Sequence, residues 1–320
     1  MVLRAVSWLA CSAVLLLPSW AKLSGQAAPV PPAFRTSSQL VLVPVTVTDR
    51  EARTVEGLQA KDFRVFEDKV LQQISSFTAE DAPCSVGLVL DISGSMRSAL
   101  DGAKGVAHAF LETANPQDEF LLLTVSTEPE AAPRFTNEAA RLEESIDRAS
   151  PGGMTALIDT VYLALNRMRK ANQSRRALLI LSDGMDNYSR YSQSELMHVA
   201  LEADVQIYAI IMPGISGGSP GGGALFRPSM AGKPIDQARA REGPNLLEEL
   251  ADKTGGLHFH AKNEGEAKDA AAKAGRALRY QYVIGYQPSM VGPTGKWRQV
   301  RVKSSVPKVH VDARDGYYAP

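Results

Sequence analysis

A chain of 320 residues has room for one large domain or two moderate ones, with a substantial core. Its 35 Lys and Arg balance 35 Asp and Glu, so no whole-protein basic field speaks for nucleic acid as a partner. The hydrophobic fraction of 44% and charged fraction of 22% are ordinary for a soluble globular protein.

Residues 1–27, MVLRAVSWLACSAVLLLPSWAKLSGQA, read as a secretory signal peptide. Arg4 supplies the positive region and Ala5 to Leu17 the apolar one, with small residues at Ser19/Ala21 and Gly25/Ala27 for cleavage. The apolar run is too short for a comfortable membrane span. Trp8 stands where a lipoprotein signal wants a small aliphatic residue, which argues against lipidation at Cys11. The expectation is an exported protein, periplasmic or secreted to the cell surface, with no integral span after cleavage. Cleavage also leaves Cys84 as the one cysteine, so the mature chain has no intramolecular disulfide and relies on its core.

A Pro-rich tether, 28–37, follows. In 38–82, QLVLVPVTVTD (39–49), DFRVFED (62–68) and QQISSFTAE (72–80) are short strands without a helix period. The character then changes over 83–279. SVGLVLD (85–91), DEFLLLTVS (118–126), RRALLILSD (175–183) and VQIYAIIM (205–212) are continuous apolar runs, the mark of parallel strands covered on both faces, and GLHFHA (256–261) is a shorter one. Amphipathic helical stretches lie between and after them, near 97–114, 137–149, 155–171, 192–203, 244–254 and 263–279. This alternation predicts an α/β domain with a doubly wound, mostly parallel sheet and helices on both faces. A Gly- and Pro-rich insertion at 213–234 reads as a long loop on the ligand side of the sheet.

Strands return at 280–320, in YQYVIGYQP, WRQVRVKSS and KVHVDARDGYYA. The first parallel strand starts at the sheet's N-terminal edge, and the last helix finishes there. Segments 38–82 and 280–320 therefore emerge together and pair into a small β module opposite the ligand-binding end. Tyr280, Tyr282 and Tyr286 alternate in one strand and are expected in that module's core.

In LVLDISGSMRSAL (88–100) an acid, Asp91, ends a buried strand, and Ser93 and Ser95 follow at two-residue spacing. Ligands of open α/β sheets bind at the carboxyl ends of the strands where the winding reverses. In a doubly wound order the neighbour across that reversal is ALLILSDG, which ends in Asp183, while Thr155 opens a helix after the glycine turn of GGMTAL. Each residue alone has a plainer reading: Ser93, Ser95 and Thr155 as helix caps, Asp183-Gly184 as a turn. Together they form a hard-oxygen set with neither His nor Cys, suited to Mg²⁺ or Mn²⁺ and leaving a position for water or an incoming carboxylate.

These motifs, DISGS, GGMTAL and LSDG, resemble the metal-ion-dependent adhesion site (MIDAS) of von Willebrand factor type A domains, such as integrin inserted domains. The resemblance covers about residues 83–278 and implies a Rossmann-like sheet with a divalent cation held by Asp91, Ser93, Ser95, Thr155 and Asp183. In that family the serine hydroxyls touch the metal, the threonine and one or both aspartates act through water, and the open position takes an acidic side chain from a protein partner. The layout as a whole also resembles a group of exported type A-related proteins known chiefly from acidobacteria, which lends no defined biochemical role.

The expected function is thus a non-enzymatic, metal-dependent protein-binding module whose cation accepts a partner's exposed Glu or Asp. Two alternatives stand beside it: a metal-dependent hydrolase of phosphate esters, and a structural envelope protein whose metal pins the rim. The hydrolase lacks a second acid at Ser93 and any His in the strand-tip segments. His258 and His260 share a strand face but have no Cys or Asp at matching spacing; Asp186 and Asn187 follow Asp183 closely and either line the rim or, the plainer reading, are solvated turn residues. The sequence sets no oligomeric state.

Overall fold

Two-residue alternation builds the first part of the fold. The computed structural model of the chain describes residues 40–212, 239–290 and 293–319. The signal segment 1–27, the tether 28–37 and the loop 213–234 lie outside them. Val41, Val43, Val45 and Val47 are buried along β1 (Val41–Thr48), while Leu42 between them is half exposed. β2 (Phe63–Glu67), β3 (Val70–Gln72) and β4 (Ile74–Asp81) follow. Asp68 and Lys69 join β2 to β3 with φ of 46° and 71°, the twist that a two-residue hairpin demands.

After only Ala82 and Pro83 the chain starts β5 (Cys84–Asp91), which is buried at every position. Then come α1 (Leu100–Leu111), β6 (Glu119–Val125), a short β7 (Glu130–Ala131), α2 (Ala139–Arg148), α3 (Leu157–Met168), β8 (Arg175–Ser182), α4 (Gln193–Glu202) and β9 (Gln206–Ile211). α5 (Arg239–Thr254), β10 (His258–His260) and α6 (Glu264–Arg279) complete this part. The sheet order is β10-β9-β8-β5-β6-β7, parallel except for β7, which pairs antiparallel with β6. Sequence patterning missed β7, since two residues are too few to show a period.

Helices cover both faces. Phe110 of α1, Ile146 of α2 and Ala271 of α6 pack with Leu88, Leu90 and Leu179 on one side. Leu165 of α3, Leu196 of α4 and Leu250 of α5 pack with Val89, Leu123 and Ile180 on the other. The sheet is therefore the expected doubly wound α/β arrangement. The winding runs from β5 out through β6 and returns to lay β8 against β5's other edge. Leu90 pairs with Leu181 in that ladder, so the next residues, Asp91 and Ser182, stand level at the strand tips.

β11 (Tyr280–Tyr286) continues directly from α6 and is followed by β12 (Trp297–Ser304), β13 (His310–Ala313) and β14 (Gly316–Tyr318). The flanking strands form two sheets, β13-β1-β11-β4 and β14-β12-β2-β3. Val43, Val45, Tyr282 and Ile284 from the first meet Phe63, Val65, Val300 and Val302 from the second in one core. β4 leads into the parallel sheet and β11 leads out of it, and the two are antiparallel neighbours with Asp81 opposite Tyr280. An ion pair of Arg279 with Asp81 fastens the junction. The sandwich therefore adjoins the N-terminal edge of the parallel sheet, away from Asp91.

One core expectation needs correction. Tyr282 and Tyr286 are buried, but Tyr280 is 37% exposed. It sits at the C-cap of α6 and opens β11, at the end of the sandwich rather than between its sheets.

Tyr286 also closes a buried polar network. Glu67, 3% exposed, accepts hydrogen bonds from the Tyr286 hydroxyl at 2.7 Å and the Tyr317 hydroxyl at 2.8 Å. Removing one donor strands a buried carboxylate lone pair. Tyr286→Phe is expected to destabilise the protein by about 1–3 kcal/mol, read from the midpoint of denaturant unfolding.

Candidate metal centre

Three loops meet at the carboxyl ends of β5 and β8. The first leaves β5 at Asp91, where the carboxylate turns back on its own loop: Oδ1 accepts the Ser93 N–H at 3.0 Å. Oδ2 accepts the Ser182 hydroxyl at 2.6 Å, across from β8. Asp183 follows Ser182 and is near enough that its charge disfavours ionisation of Asp91. Ser93 holds the N-cap position of a short 3-10 helix, Gly94–Met96, yet its side chain makes no capping bond. Its hydroxyl lies 3.1 Å from that of Ser95, which is exposed at the rim.

The second loop carries Thr155. Gly94 N–H donates to the Gly153 carbonyl at 3.0 Å, and Gly152 N–H to Ile92 at 2.8 Å, so it lies along the first. Gly153 has φ of 80°, and a Cβ there would stand 2.6 Å from Thr127 Oγ1, which makes glycine obligatory at this crossing. Thr155 is buried and is not the cap of α3, a position held by Ala156.

The third loop, after β8, is bound to the second. Thr155 N–H donates to Asn187 Oδ1 at 2.9 Å, and the N–H groups of Asn187 and Tyr188 both donate to the Thr155 carbonyl at 3.0 Å. Asp186 accepts the Ile158 N–H at 3.3 Å, at the start of α3, and the Ser189 hydroxyl at 2.5 Å. Asp186 is therefore no solvated turn residue: it is 8% exposed, and burial pushes its carboxyl above the ordinary range. Its charge faces the positive end of the α3 dipole. Ser182 is the participant that motif reading overlooked, while Asp186 and Asn187, preferred there as solvated turn residues, bind the second loop instead. The available signal was a run of polar side chains packed immediately after the apolar stretch 177–181 of β8.

The structure thus brings Asp91, Ser93, Ser95 and Asp183 to adjacent strand tips and holds Thr155 on a loop bonded to both neighbours. The donor set suits a hard divalent cation. Among the described residues no three His, Cys, Asp or Glu side chains form a metal cluster, so the set depends on hydroxyl oxygens for completion. Two ligands on adjacent corners of a magnesium octahedron with 2.1 Å bonds lie about 3.0 Å apart. The Ser93 and Ser95 hydroxyls are hydrogen-bonded to each other at 3.1 Å, a separation that adjacent ligands of such an ion also have. Asp91 is fully buried, with no ion pair among the described residues, and burial pushes its pKa from 3.8 up to about 6. Such a carboxyl is a site for positive charge.

The histidines of β10 each meet a carboxylate of α5. His258 Nδ1 lies 3.0 Å from Asp252, and His260 Nε2 lies 2.9 Å from Glu248; both carboxylates come from α5.

Residues 86–185 match the family model of the von Willebrand factor type A domain. That span runs from β5 through the three loops and holds all five candidate ligands. Among solved structures, the chain is similar to an aerotolerance-related membrane protein from Bacteroides fragilis at 17% identity, covering 60% of this chain and 98% of that one with a TM-score of 0.45. A von Willebrand factor type A protein from Catenulispora acidiphila aligns at 12% identity over 89% of this chain and 75% of its own, with a TM-score of 0.48. A mutant of the PilB minor pilin from Streptococcus sanguinis aligns at 13% identity over 62% and 61%, with a TM-score of 0.44. No curated protein matches the chain.

The Asp91 carboxyl sets a pH dependence in chelator-treated protein. The unfolded acid titrates near 3.8 and the folded one near 6, so between those values the folded state binds more protons and loses stability as pH rises. At about 1.4 kcal/mol per pKa unit, the loss attributable to Asp91 is roughly 3 kcal/mol. Subtracting the curve for Asp91→Asn from that of the wild type, in urea melts across pH 4 to 7 with EDTA, isolates this component.

Proposed function

We propose that this protein is exported by its signal segment and binds a protein partner through a divalent cation, Mg²⁺ or Mn²⁺, held at the rim by Asp91, Ser93, Ser95, Thr155 and Asp183. The observation that carries the reading is the buried Asp91 carboxylate, without an ion pair among the described residues, bonded across the strand reversal to Ser182 and beside the hydrogen-bonded hydroxyls of Ser93 and Ser95. When bound, the cation supplies an electrophilic centre with a position for an outside carboxylate. The chain's own residues do the rest. Ser182 orients the Asp91 carboxylate, and the Gly94–Gly153 bond sets the two glycine loops in register. Asn187 fixes the Thr155 loop. Because only two carboxylates serve the ion and hydroxyls fill other positions, the cation keeps positive character for a partner's Glu or Asp.

Recognition rather than turnover fits this rim. DISGSMR, SPGGMTAL and SDGMDNYSR contain no histidine, and the site offers no general base placed between two acids. Among the described residues no helix is long and apolar enough to cross a membrane.

Two measurements test the proposal. In calorimetric titrations with Mg²⁺ or Mn²⁺, Asp91→Asn and Asp183→Ala are expected to abolish measurable uptake. Ser182→Ala, which loosens a supporting bond only, is expected to weaken it about 10–100-fold. In pull-downs from a bacterial envelope, proteins retained with Mg²⁺ are expected to elute with EDTA and to be missing from the Asp183→Ala bait. Undiminished metal uptake and capture by Asp183→Ala overturns the reading.

A further inference from the structure

A second cavity lies at the opposite edge of the parallel sheet, where the β sandwich meets the α/β layer. Its volume is about 280 Å³, and both parts contribute walls. Four cationic side chains line it: Arg175 and Arg176 at the start of β8, Lys253 near the end of α5, and Arg314 between β13 and β14. The one lining carboxylate, Asp204, is paired with Arg314 at 2.7 Å. Lys253 is paired with Glu249 at 3.1 Å, and Arg175 donates to the Arg279 carbonyl at 2.6 Å.

Arg176 is different. Among the described residues its guanidinium has no hydrogen bond or ion pair, and its Nε is buried. Arg314 Nε is also buried without a partner. Six buried side-chain polar atoms lack partners among the described residues, and two of them are guanidinium nitrogens of this one cavity. Leaving a buried donor unpaired costs about 1–3 kcal/mol, more for a charged group. A guanidinium cannot relieve that cost by losing its proton. The two terminal nitrogens of Arg176 are not enclosed and have no partner among the described residues, so they are open to an anion in the cavity.

Size and wall chemistry narrow the anion. The volume is that of about nine waters, just under the usual range for drug-sized ligands. Beside the cations the wall is aliphatic, from Leu42, Pro44 and Val283 on the sandwich and Ala200 on α4. A fully hydrated inorganic oxyanion makes no use of that wall. The planar fork of arginine matches a carboxylate.

We infer that this cavity binds a small organic carboxylate with a short aliphatic body, the carboxylate taken by the terminal nitrogens of Arg176 and the chain laid against Leu42, Pro44 and Val283. The ligand touches both the sandwich and the α/β layer, so it acts as a clasp between them. The site is separate from the metal rim and needs no metal.

The test uses the full chain in EDTA with sodium hexanoate, sodium acetate and inorganic phosphate as probes, read by thermal melting and calorimetry. Hexanoate is expected to raise Tm and to bind at least about tenfold more tightly than acetate or phosphate. Arg176→Gln is expected to weaken hexanoate binding about tenfold or more while its ligand-free Tm equals or exceeds that of the wild type. Leu42→Asp, at a half-exposed position on the mouth, supplies a second variant with the same expected loss. The inference is overturned if hexanoate neither binds nor shifts Tm at millimolar concentration, if phosphate binds more tightly than hexanoate, or if both variants bind hexanoate as the wild type does.

Discussion

A strand covered on both faces by helices has nowhere to put a polar side chain except at its ends. β5 obeys this: it is buried from Cys84 to Asp91 and polar chemistry concentrates at its tip. Because β8 lies directly against β5, a second tip with Ser182 and Asp183 stands beside the first. The Asp91–Ser182 bond across that adjacency is the contact on which the rim depends. The loops then follow by short backbone bonds, from Gly94 to Gly153 and from Thr155 to Asn187, with little freedom left at any of them. Such rigidity lets a rim with only two carboxylates present several neutral oxygens in a preset arrangement.

The sandwich solves a different problem. An inserted α/β layer has two chain crossings, and each exposes backbone unless it is paired. Here the crossings pair with each other: β4 and β11 run antiparallel, and Arg279 bonds at once to Asp81 and to the Thr113 carbonyl. The interior of the sandwich includes a charge, Glu67, held by two tyrosine hydroxyls and lying 3.6 Å from Arg298. That network spans both sheets, since Tyr286 belongs to one and Glu67, Arg298 and Tyr317 belong to the other. It pins their relative position as an apolar core alone does not.

Balanced net charge conceals a polarised molecule. The carboxyl end of the parallel sheet gathers Asp91, Asp183 and Asp186, whereas the amino end gathers Arg175, Arg176, Lys253 and Arg314 around a cavity. Each end carries a charged group with no ion pair among the described residues, Asp91 at one and the half-buried Arg176 at the other.

Much of this was legible in the sequence, for a local reason. Continuous apolar runs report strands covered on both faces, amphipathic stretches report helices, and the acids and hydroxyls of DISGS, GGMTAL and LSDG sit at the junctions of those patterns. The position of Asp91 at a strand end needed no tertiary information. What the tertiary structure alone decided are the contacts between distant segments. Ser182 became a partner of Asp91 through strand register, Asp186 was drawn from a turn into the interior by the start of α3, and Tyr280 was left at the sandwich's edge. Arg176, without a partner among the described residues, belongs with these, because its cavity exists only where β8 meets strands more than 90 residues away in either direction. Periodicity records which face of an element is apolar, whereas partners across a sheet are selected by the packing of the whole chain.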